Sequence, residues 1–92
     1  MAIVVFFDNI KNCPTEKYYE TLKRLAAAGA EPPKGQLSHV MYEKDGQPHV
    51  VNVYETSESF EAFGQILMPI LADLGIDAGE PVVMPAENFM AG

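Results

Sequence analysis

Residues 2–7, "AIVVFF", form an unbroken apolar run of β-branched and aromatic side chains. That is the pattern of a strand covered on both faces. "DNIKNCP" interrupts it as a loop. Pro14 then suits a first helical position, with Thr15 and Glu16 in the first turn. Tyr18, Leu22, Leu25 and Ala26 recur at helical spacing, while Glu16, Lys17, Glu20, Lys23 and Arg24 cover the other side. Gly29 marks the stop. The connector "AEPPKGQ" holds two consecutive prolines, which exclude helix and strand alike. Residues 37–44 and 49–55 flank "DGQP", and Asp-Gly between apolar runs predicts a hairpin. Thr56 or Ser57 can cap a second helix, with Glu58 in its first turn. Phe60, Phe63, Leu67, Ile70 or Leu71, and Leu74 form its buried stripe. Pro69 falls inside this pattern, so a kink, or two short helices breaking near 65–68, is expected. Gly75 ends the element. "PVVMPAE" is a last short strand whose two prolines fit an edge or a strand end.

The order is βαββαβ, with no internal repeat and no low-complexity tract, so residues 1–92 make one domain. Two helices on one face of a four-stranded antiparallel sheet is the ferredoxin-like α+β arrangement. The strands are apolar on both faces. Ile3, Val5 and Phe7 alternate with Val4 and Phe6, and Val51 and Val53 alternate with Val50. A sheet face left in water should be polar. The alternation therefore predicts a homodimer whose sheets pack face to face, or a barrel built from both.

Composition supports that expectation. A chain of 92 residues buries only about 60–65% of its unfolded surface. Its core is thin, and a second copy would thicken it. Six basic against thirteen acidic residues give a net charge of −7, and the five lysines and Arg24 form no stripe. Nucleic acid and anionic membrane surfaces are excluded as partners on that ground. No apolar run approaches a membrane span. The N-terminal run lacks a preceding basic region, so a cytoplasmic protein is expected. Cys13 stands alone, without a disulfide partner or zinc spacing. A thiol at a helix start can have a lowered pKa, but nothing around Cys13 supports a nucleophile.

The hairpin carries the candidate chemistry. Opposite residues in a hairpin have a constant index sum. A two-residue turn at Asp45-Gly46 sets His39 opposite Asn52; a four-residue loop sets it opposite Tyr54. In both registers His39, Asn52 and Tyr54 share one face, with Leu37 and Met41. A polar cluster on an apolar face has two readings. It can line a ligand cavity, with His39 as acid or base and Tyr54 and Asn52 positioning the substrate. It can equally be a set of groups that satisfy one another in a dimer core. His49 lies beside the turn on the opposite parity, a solvated or rim position. The two histidines and scattered carboxylates give no metal-ligand spacing. No glycine-rich phosphate loop appears, so no cofactor is expected.

The strand "AIVVFF", the stretch "PPKGQLSHVMYEKDG", the segment "VVNVYETSESFEAFGQILMPILADLGI" and the closing "PVVMPAEN" together resemble the dimeric α+β barrel proteins, in particular the small antibiotic-biosynthesis-monooxygenase-like group. The resemblance covers nearly the whole chain. It implies a ferredoxin-like subunit, a homodimer, and a ligand cavity between sheet and helices. Activities in that group include cofactor-free oxygenation of polycyclic aromatics, haem degradation, polyketide cyclisation, isomerisation and decarboxylation. Haem-degrading members carry an Asn, a Trp and a helix His; this chain has no Trp and no His in its second helix, so haem degradation is not expected. The expected protein is an enzyme resembling cofactor-free monooxygenases or cyclases, acting on an apolar aromatic or polyketide-like molecule. Its catalytic candidates are His39, Tyr54 and Asn52, and its substrate-binding candidates are Phe60, Phe63, Met41 and Leu67. The alternative is a non-catalytic ligand-binding or accessory homodimer of the same fold.

Overall fold

A computed structural model of the chain describes residues 1–90. The elements run β1 (Ile3–Phe7), α1 (Thr15–Ala27), β2 (Gln36–Lys44), β3 (Gln47–Tyr54), α2 (Ser57–Leu74) and β4 (Val82–Pro85). All strand pairs are antiparallel, in the order β2-β3-β1-β4. This is the ferredoxin-like α+β arrangement. Ile3, Val5, Phe7, Val50 and Tyr54 on one sheet face pack with Leu25 of α1 and with Phe63 and Leu71 of α2. β4, with its prolines, is an edge strand beside β1.

The hairpin closes with two residues. Asp45 (φ 56°) and Gly46 (φ 76°) are both left-handed, as a type I′ turn requires. Lys44 pairs with Gln47, and His39 therefore pairs with Asn52. At the far end a bulge lies between Gln36 and Ser38. It leaves Leu37 out of the ladder and exposed. The same bulge turns Gln36 toward Tyr54 on the helix side.

Helix ends follow their signals. Gly29 (φ 75°) takes the left-handed position after α1, and Ala30 N donates back to Leu25 O at 2.8 Å. Thr56 Oγ1 caps α2 by accepting from Ser59 N at 3.1 Å. The expected break of the second helix does not occur: α2 is continuous from Ser57 to Leu74 with Pro69 inside it. Pro69 and Gln65, whose carbonyl loses its donor, both lie on the exposed side. A carbonyl on that side is open to solvent, so the helix need not break. Arg24 of α1 pairs with Glu20 and with Asp73 of α2, tying the helices across solvent.

The sheet face away from the helices is apolar and, apart from buried Val53, largely open. Val4, Phe6 and Val51 are half-buried on it, and Val40, Tyr42, Val82 and Met84 are exposed.

The approach of the residue before β2 to α2 depends on a glycine. Gly35 has φ 83°, and a Cβ there would lie 2.3 Å from Ser59 Oγ, while its carbonyl accepts from Glu55 N. Gly35→Ala is expected to lower unfolding free energy by about 1–3 kcal/mol, through left-handed strain plus displacement of Ser59. Urea denaturation checks this; an unchanged midpoint would contradict the close approach.

Candidate active site

Between the sheet and the two helices lies a cavity of about 100 Å³. Phe7 and Val50 form its sheet wall, Leu25 closes it from α1, and Phe63, Leu67 and Leu71 close it from α2. An engineered apolar cavity of roughly 150 Å³ takes up benzene, so this space is on the scale of one ring. Five polar residues reach its wall: Tyr18, Thr21, Gln36, His39 and Asn52. The Thr21 hydroxyl is already committed to Lys17 O, one turn back.

The other four belong to one hydrogen-bonded chain. Asn52 is buried on β3, the strand next to β1. Its Oδ1 accepts from His39 Nδ1 at 2.6 Å across the β2–β3 ladder. Its Nδ2 donates to Tyr54 Oη at 3.4 Å, and Gln36 Nε2 donates to the same oxygen at 3.2 Å. With Nδ1–H facing Asn52, the free lone pair of His39 is on Nε2. Tyr18 Oη of α1 donates to that nitrogen at 2.7 Å, and the two rings are near-parallel, 6.1 Å apart. His39 is exposed, Tyr18 half-buried, and Tyr54 fully buried. The chain thus runs from solvent, along the cavity wall, into the core.

Burial sets the ionisation of this chain. It pushes the Tyr18 phenol up, and the neighbouring Tyr19, Glu31 and Cys13 push the same way. Burial also raises the Tyr54 phenol, against the lowering effect of the bonds from Gln36 and Asn52. Both phenols are therefore held neutral at ordinary pH. The Cys13 thiol is raised by burial more than Lys17 lowers it, so it lacks the thiolate character of a nucleophile.

The structure brings His39, Asn52, Phe63 and Leu67 together on the cavity wall. Tyr54 lies behind Asn52, off the wall, where it holds the amide of Asn52 in place. Met41 and Phe60 pack against the core and are not on the wall either. Tyr18 and Gln36 were not among the site residues expected from the sequence. Tyr18 occupies the apolar stripe of its helix, and only its hydroxyl, an apolar ring with a polar tip, hints at a second role. Nothing in the sequence announces the bulge that brings in Gln36. His49 is half-buried on the open sheet face, stacked on Tyr42 at 5.3 Å and 4.0 Å from the Asp8 carboxylate. It is less solvated than its place beside the turn predicts. Among the described residues, no three His, Cys, Asp or Glu side chains are grouped as a metal site, and no helix is long and apolar enough to cross a membrane.

No family model matches the sequence, and no curated protein matches it. Solved structures do. A candidate antibiotic biosynthesis monooxygenase of Caulobacter crescentus superposes with a TM-score of 0.57 at 16% identity, covering 97% of this chain and 89% of that one. Rv0793 of Mycobacterium tuberculosis gives 0.61 at 12% identity, covering 98% and 97%. A candidate antibiotic biosynthesis monooxygenase of Deinococcus radiodurans gives 0.57 at 15% identity, covering 99% and 97%. This chain has the antibiotic-biosynthesis-monooxygenase-like fold. At these identities the similarity is one of fold, and chemistry has to be argued from the site.

The proton positions in the His39 chain are open to direct observation. Long-range ¹H–¹⁵N spectra are expected to show neutral His39 protonated on Nδ1, and Asn52→Ala is expected to release it to a mixture of tautomers. An Nε2–H imidazole in the unaltered protein would reverse the assigned direction of the Tyr18–His39, His39–Asn52 and Asn52–Tyr54 bonds.

Proposed function

We propose that this protein is a homodimeric small-molecule enzyme of the cofactor-free monooxygenase-like or cyclase-like kind. Its substrate is a small, largely apolar molecule, aromatic or polyketide-like, held between sheet and helices. One observation carries this reading: an imidazole fixed by Asn52 stands at a largely apolar cavity. An imidazole ionises near neutral pH, and a second group fixes its tautomer and aim. Removing a proton from such a molecule opens it to cyclisation, isomerisation or reaction with oxygen. His39 is the acid/base group, Asn52 and Tyr54 hold it in position, and Phe63 and Leu67 bind the apolar body. The fold shared with candidate antibiotic biosynthesis monooxygenases supports the same class.

The homodimer rests on the open sheet face. Val40, Tyr42, Val82 and Met84 are exposed beside half-buried Val4, Phe6 and Val51, a patch of the kind that marks an interface. A second reading, a ligand carrier that does not convert its cargo, is favoured by the cavity's size. About 100 Å³ is below the roughly 300–1,000 Å³ usual for ligand sites.

Native mass spectrometry of protein purified from its own host separates these readings. The expected species is twice the 10.1 kDa subunit carrying a releasable small molecule, and Val51→Lys is expected to give monomer. A wild-type monomer would contradict the dimer. His39→Ala, made in the same host, is expected to release the unconverted molecule, with turnover down about 10²–10⁴-fold. The same released molecule from both proteins would favour the carrier.

A further inference from the structure

Resting on the acid–base reading of this cavity, we infer that Tyr18 is the catalytic residue that meets the ligand, and that the ligand is a one-ring phenol or enol whose proton passes through Tyr18 Oη to His39 Nε2. Both ring nitrogens of His39 are occupied. Nδ1 is bonded to Asn52 Oδ1 at 2.6 Å, and Nε2 to Tyr18 Oη at 2.7 Å. An imidazole has no third site in its plane, so no ligand proton reaches it directly. Tyr18 Oη gives its own hydrogen to His39 and keeps lone pairs with which to accept another. Tyr18 and His39 both line the cavity; Tyr18 is half-buried, whereas His39 is exposed to solvent with both ring nitrogens already bonded. The phenol therefore faces the ligand, and the imidazole faces the water with which protons are exchanged.

The step balances as a proton relay. The ligand O–H bond, or the acidic C–H of the keto form of an enol, breaks, and its hydrogen forms a bond to Tyr18 Oη. The Tyr18 O–H bond breaks at the same time, and that hydrogen forms a bond to His39 Nε2. The products are a ligand anion and an imidazolium, with Tyr18 neutral before and after. The imidazolium donates from Nδ1 to Asn52 Oδ1 and from Nε2 to Tyr18 Oη, so both of its hydrogens have acceptors. Asn52 is itself held by Tyr54, which Gln36 also engages; these three are positioning residues. Tyr18 does not serve as the base alone, because burial and the neighbouring Glu31 disfavour its phenolate.

The chemical class follows from the acceptor. An imidazole nitrogen acting as base takes protons from acidic O–H and C–H groups, those of activated phenols, enols and 1,3-dicarbonyls, and not from simple alcohols. Phe63, Leu67 and Leu71 offer the acid's carbon skeleton an apolar wall, and about 100 Å³ admits a single ring.

The probe is 4-nitrophenol, a one-ring acid whose ionised form is coloured, added to the full chain at one near-neutral pH. Wild type is expected to bind it and to raise the phenolate-to-phenol ratio about tenfold over free solution, the equivalent of one pKa unit. Tyr18→Phe is expected to show no such rise, whether or not its affinity for the probe falls. His39→Gln is expected to lose the rise too. A rise that survives in Tyr18→Phe and vanishes in His39→Gln would overturn the relay and leave the acid–base reading standing. Binding without ionisation in wild type would overturn both. Failure of wild type to bind the probe would overturn the substrate class.

Discussion

The two-residue turn at Asp45-Gly46 is the constraint on which the site depends. Side chains along a strand alternate between faces, so a slip of one residue in the hairpin sends every side chain to the other side. The turn pairs Lys44 with Gln47 and so sets His39 across from Asn52 on the helix-facing side. Asp45 and Gly46 both take the left-handed conformation this demands. Asn52 then fixes His39, and His39 meets Tyr18 from the first helix. Sheet and helix are thus joined at the cavity by three side chains, two of them placed by one turn.

That junction is polar in an apolar setting, which raises its stakes. Hydrogen bonds in a low-dielectric interior are stronger than in water, and a group left without a partner there is correspondingly costly. Among the described residues, no buried side-chain nitrogen or oxygen lacks a partner. Tyr54 and Gln36 complete the chain from beneath. The bulge in β2 matters for this reason: it turns Gln36 inward while leaving Leu37 out of the ladder. A single irregularity at the end of a strand thereby supplies the last donor of the network.

Much of this was legible in the sequence, and for physical reasons. Alternation of two and spacing of three to four residues placed all six elements and the ferredoxin-like order. Parity alone put His39, Asn52 and Tyr54 on one face, because both candidate registers have the same odd sum. What escaped depends on depth and on long-range contact. Parity assigns a face but not a depth, so it did not distinguish Asn52, on the cavity wall, from Tyr54, buried behind it. Met41 and Phe60 have the right faces and still lie off the wall. Tyr18 is 21 residues from His39 in the chain, and helical spacing marks it only as apolar. Spacing shows Pro69 only by its intrinsic effect; its exposed position leaves the carbonyl it deprives open to solvent, and α2 runs on as one helix.

The crystal structure of the protein soaked with a small phenol tests the central claim most directly. The account predicts the ring between the sheet and α2, against Phe63, Leu67 and Leu71, with its oxygen within hydrogen-bond distance of Tyr18 Oη and with the Tyr18–His39–Asn52 bonds intact. A ring seated on the open sheet face, or an oxygen bonded to His39 after displacing Tyr18, would contradict it.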